Sequence, residues 1–89
     1  MAALNQLKER MPFLASRAGA VKTSLENLLR EQRREGLSLR QDVMASWKRM
    51  EHFMDKADEA LEAKDAVAAG RFMEQAEREV EKLERFLGK

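Results

Sequence analysis

The 89 residues carry 17 basic and 16 acidic side chains, a net charge of +1, with 37% of the chain charged and no cysteine. A balance this even argues against general attraction to nucleic acid or membrane surfaces. The lack of cysteine excludes a disulfide, a thiolate metal site and a Cys nucleophile. The length fits one domain with little core to spare, since a chain this short buries only about 60–65% of its unfolded surface.

Ala, Leu, Glu, Lys, Arg and Met dominate, Tyr is absent, and there are 1 Pro and 4 Gly. These are good helix formers, and the composition reads as long helices with coiled-coil-like packing. No apolar run approaches the roughly 18–20 residues of a membrane span. The opening segment, MAALNQLKERMPFLASRAG, sets Lys8, Glu9 and Arg10 inside any would-be apolar stretch and lacks the charged-then-apolar form of a secretory signal. A cysteine-free chain without such a signal suits a cytoplasmic location.

In chain order, apolar or small residues fall at Leu4, Leu7, Met11, Leu14, Ala18, Val21, Leu25 and Leu28, alternating steps of three and four without a miss. That stripe predicts a helix packed lengthwise on other helices. Pro12 lies off the stripe but removes a backbone donor and disfavours helical geometry at Met11. Two outcomes are therefore expected: a kinked but continuous helix, or a helix over about 12–35 with residues 1–11 as an N-terminal extension ahead of the Pro12 kink. The stretch REQRREGLSLRQD, residues 30–42, then punctuates. Gly36 suits the left-handed position after a helix end, with Arg33 and Arg34 complementing the negative end of its dipole. Ser38 followed by Gln41 has the spacing of a capping box for a second helix over about 39–63.

The second stripe reads Val43, Trp47, Met50, Met54, Ala57 and Leu61, widened by Phe53 and Ala60. Asp65 is a natural N-cap, so a tight turn leads to a third helix over about 66–87. Its stripe is Ala69, Met73, Ala76, Val80, Leu83 and Leu87, flanked by Phe72 and Phe86, with Gly70 beside it as a point of close backbone approach. Three helices of similar length and short connections predict an all-α, antiparallel up-down-up three-helix bundle forming a single domain.

Ala57, Asp65, Ala69, Met73 and Ala76 follow a spacing that loosely resembles a tetratricopeptide-type helical hairpin, over about 30 residues. The Gly and Tyr positions of that motif are not clearly met, and a single unit cannot form the array, which needs about three.

For function, the residues point to packing rather than chemistry. Ser16, Ser24, Ser38 and Ser46 have no His partner at a catalytic spacing, and no glycine-rich phosphate loop or zinc-protease motif occurs. His52, the single histidine, has only nearby carboxylates, whereas zinc sites use three or four ligands with His or Cys prominent. No enzyme activity, metal or cofactor is expected. Carboxylates alternate with Lys and Arg in EQAEREVEKLER as on a solvated helix face. Trp47 reads as the largest core side chain of its stripe. The expected function is a non-enzymatic helical interaction or structural module, with a protein partner or a second copy as its target. Leu4 and Leu7 would project from the bundle with the N-terminal extension, and Phe13, Leu29 and Met44 lie off the main stripes. These five are the candidate partner-binding residues. The alternative is a small nucleic-acid-associated or regulatory protein. It would use Arg30, Arg33, Arg34 and Arg40, gathered near one bend, as an anion-binding tip. Residues 1–35 do carry 7 basic against 4 acidic side chains, but Glu31, Glu35 and Asp42 interleave with the arginines.

Overall fold

The first stripe does form one helix, and a longer one than Pro12 suggested. The computed structural model describes residues 2–88; Met1 and Lys89 lie outside it. Helix α1 spans Ala2–Arg34 and runs unbroken through Pro12. Helix α2 spans Gln41–Glu62 and α3 spans Ala66–Phe86. The expected extension over residues 1–11 is therefore corrected: residues 2–11 belong to α1. Pro12 is exposed, and Met11 and Leu14 on either side of it are buried.

The three helices form an up-down-up bundle. Leu7 lies over Gly70, and Arg17 reaches Glu77 and Glu84, so α1 and α3 run in the same direction. Ser46 meets Glu79 and Arg40 lies over Phe86, so α2 runs against α3. In that register Ala57 is level with Ala69. Both are fully buried, as is Ala76, and such small residues let α2 and α3 approach more closely than any other pair of helices here. The molecule measures 51 × 19 × 17 Å. Its long dimension is that of α1, whose 33 residues rise about 50 Å at 1.5 Å each. Because α3 stops at Phe86, close beyond Glu84, the last turns of α1 outrun it. The surplus length of α1 thus lies at its C-terminal end, not at residues 4–11.

The connections follow from backbone chemistry. Past α1, Gly36 adopts φ 76°, and the N–H groups of Gly36 and Leu37 close back onto Arg33 and Gln32 at 3.1 and 2.7 Å. This paired closure satisfies helix-end carbonyls that would otherwise be orphaned. The chain then runs without regular secondary structure from Leu37 to Arg40, burying Leu39 while Leu37 stays exposed. The second helix starts at Gln41, and the capping box expected from Ser38 is not formed: Arg40 occupies the cap position and no side chain caps it. Between α2 and α3, Lys64 takes φ 60°. Lys64 and Asp65 close onto Leu61 and Ala60 with the same paired geometry. The Asp65 carboxylate then accepts from the Ala68 N–H at 3.1 Å, so this expected cap is present.

The expected close approach at Gly70 is not required. A Cβ there would lie 3.8 Å from the nearest Leu7 methyl, an ordinary van der Waals separation. Gly70→Ala should raise stability by about 1 kcal/mol, the helix-propensity difference, read as a higher urea midpoint with an unchanged slope. A lower midpoint would mean that the Leu7–Gly70 crossing has no room for a methyl.

Candidate functional site

Charged side chains enter the α2–α3 interface at one level. Glu79 lies between Ala76 and Leu83 on the inward side of α3, and its residue exposure is only 5%. The Ser46 hydroxyl donates to its carboxylate at 2.9 Å. Arg49 donates to the same oxygen at 3.2 Å, and the Lys82 ammonium donates to the other at 3.4 Å. Burial pushes the Glu79 carboxyl up and is the largest single influence. The hydrogen bonds from Arg49 and Ser46, with the charges of Arg49 and Lys82, outweigh it and hold the group below the usual carboxylate range. The buried carboxylate is thus ionised and fully engaged, and it fixes where two cations stand at the surface.

Those cations form one wall of a cleft of about 540 Å³ between the start of α2 and the end of α3. Arg40, Arg49, Lys82 and Arg85 line it, with Val43, Leu83 and Phe86 as its apolar part. Arg40 donates to Asp42 through Nε at 3.1 Å and Nη2 at 2.6 Å, and its guanidinium carbon lies 5.8 Å from the Phe86 ring centre. The hydrogen bond from Arg40 holds the Asp42 carboxyl below its ordinary range.

A second concavity lies between α1 and α2, which pack together least of the three helix pairs. Helix α2 buries Val43, Ser46, Met50, Ala57 and Ala60. The neighbouring line of Met44, Trp47 and Met54 is only half-buried and borders a groove. Leu29, Met44 and Trp47 line the groove at one level, flanked by Lys48 and Glu51. Ala15, Ala18, Gly19, Met50 and Met54 line it further along, flanked by Lys22 and Asp55. The Trp47 indole N–H donates to Glu51 at 2.9 Å, so the ring stands at the groove edge with one polar contact outside. It packs against the core as its heptad position implied, but is only half-buried.

The residues singled out from the sequence divide three ways. Leu29 and Met44 come together in the α1–α2 groove. Phe13 is 74% exposed and borders a different hollow with Arg10, Arg17, Met73 and Glu77. Leu4 is 6% exposed and Leu7 packs on the core, so neither projects toward a partner. Leu7 lies against α3 at Gly70, near the start of that helix. Asp at both positions therefore places charge against α3 and unfolds that end rather than dissolving an assembly. The arginine tip also separates. Arg30, Arg33 and Arg34 stay exposed on the last turns of α1, with Arg30 bonded to Asn27, while Arg40 joins the α2–α3 cleft. Sequence reasoning missed Ser46, Arg49, Glu79, Lys82 and Arg85 as a group. The available signal was position: Glu79 falls three residues after Ala76 and four before Leu83, inside the apolar stripe rather than opposite it.

His52 is exposed and meets the edge of Phe53 at 5.5 Å between ring centres. No helix among the described residues is long and apolar enough to cross a membrane. Compared with known proteins, the chain matches no family model, no curated protein and no solved structure. The tetratricopeptide-like spacing of the α2–α3 hairpin accordingly has no family match behind it.

Proposed function

We propose that this protein is a non-enzymatic helical interaction module that self-associates through the groove between α1 and α2. The observation that carries the reading is the half-buried line of Leu29, Met44, Trp47 and Met54 along the least tightly packed helix pair. Methionine side chains adapt to varied neighbours, and a groove between two helices is a natural seat for a third. The rim charges suit a second copy. Lys22 and Lys48 stand beside Glu51 and Asp55, so a two-fold related chain can set cations of one protomer against carboxylates of the other.

Light scattering from about 10 µM to 1 mM tests this, a range that covers dissociation constants typical of weak assemblies. The expected mass rises toward twice the monomer value, and Leu29→Glu with Met44→Glu returns it to the monomer with unchanged helicity. A monomer mass across the whole range would overturn the proposal, as would a dimer insensitive to those substitutions.

A further inference from the structure

The α2–α3 cleft has a composition that packing alone does not call for. Four cations, Arg40, Arg49, Lys82 and Arg85, surround an opening of about 540 Å³, within the size range of small-ligand pockets. Two carboxylates answer them. Asp42 is engaged by Arg40, and Glu79 by Arg49, Lys82 and Ser46. The local balance is therefore two positive charges in excess, on a protein whose net charge is only +1. The excess converges from two helices, because Glu79 anchors Arg49 and Lys82 from beneath while Arg40 and Arg85 stand toward the ends of α2 and α3. The apolar part of the lining lies to one side: Val43 and Leu83 are buried, and the Phe86 ring is partly exposed.

From this arrangement the geometry points to a binding site for a phosphate monoester carried on an aromatic group. A phosphate monoester brings about −1.5 to −2 charge near pH 7 on three acceptor oxygens, which matches the local excess in a single group. Guanidinium forks bind such oxygens with paired hydrogen bonds. The exposed part of Phe86 offers the attached ring an apolar contact at the edge of the cleft, and Arg40 lies near the Phe86 ring. A monocarboxylate would neutralise only part of the excess, and a bare phosphate would leave the apolar side unused. This site is separate from the α1–α2 groove and does not depend on self-association.

The test is an NMR titration of the ¹⁵N-labelled full chain at pH 7 and low salt with phenyl phosphate, inorganic phosphate and benzyl alcohol. Phenyl phosphate should produce saturable shifts at residues 40–49 and 82–86, at millimolar concentration or below. Inorganic phosphate should bind several-fold more weakly, and benzyl alcohol should not saturate. Arg85→Ala should weaken phenyl phosphate binding about fivefold or more, the order expected for losing one charge-assisted contact. Arg85 is exposed, so its removal leaves the fold intact, checked by circular dichroism. The Leu29→Glu, Met44→Glu variant should bind phenyl phosphate as the wild type does, which separates this site from the assembly face. No saturation by about 10 mM, a ligand far weaker than any metabolite-range affinity, would overturn the site. Equal affinity for inorganic and phenyl phosphate would overturn the aromatic half of the assignment.

Discussion

Leu25→Ala is expected to cost about 3 kcal/mol and to lower the melting temperature by roughly 12–24 °C. Leu25 is 0% exposed and sits in the same core cluster as Val21, Val43 and Val80. Removing its isobutyl group forfeits the transfer free energy of the lost carbons and leaves a cavity that only partly collapses. The site has little room to collapse, because Leu25 is fully buried within a cluster drawn from all three helices. A domain of this kind has on the order of 5–15 kcal/mol in total, so the variant remains folded at room temperature with a thin margin. Phe13→Ala is the control. Its ring is exposed, and the change should fall within about 0.5 kcal/mol of wild type. Urea denaturation of both variants checks the contrast; a loss below about 1 kcal/mol at Leu25 would mean that this end of the core is not close-packed.

Glu79→Gln should destabilise the protein by about 2 kcal/mol at pH 7, the range for losing charge-assisted hydrogen bonds at a buried acceptor. The value stays modest because Arg49 and Lys82 are about half exposed and remain solvated when the charge is gone. The pH dependence is the sharper reading. The folded-state pKa of Glu79 is depressed, so its ionised form contributes stability above the unfolded value of about 4.3. That contribution is lost as pH falls through the lower folded value. Wild type and Glu79→Gln should therefore differ most at neutral pH and converge in acid. Parallel stability curves down to pH 2 would show that Glu79 does not titrate as the geometry requires.

The heptad stripes made the bundle legible. Steps of three and four placed Met11, Leu14, Ala18, Val21 and Leu25 in the core, and Gly36 and Asp65 marked two connections from their backbone preferences alone. The helix starts were less legible, because local signals yield to packing. Pro12 does not begin α1, since the turns before it have α3 to lean on. Ser38 does not cap α2, since the helix begins two residues later than a cap at Ser38 requires, after the chain has buried Leu39. The cleft was hidden for a different reason. Arg40 was grouped with Arg30, Arg33 and Arg34 because they are near in sequence, yet its companions Arg49, Lys82 and Arg85 come from 9 to 45 positions away. Alternating charge in EQAEREVEKLER looked like a solvated face, and only the rotation of α3 against α2 shows that Glu79 points inward.

The tight turn at residues 63–65 also sets an order of events in folding. It joins the two helices that pack most closely, so their contacts form across short loops with little chain entropy lost. The α2–α3 hairpin is the natural nucleus, and α1 docks onto it as the later step. Substitutions at Ala57, Ala69 or Ala76 should then slow folding, while those in the last turns of α1 should mainly speed unfolding. In the native state those same turns, which carry Arg30, Arg33 and Arg34, should exchange their amide protons first, so that a stretch rich in arginine is also the part expected to open most readily.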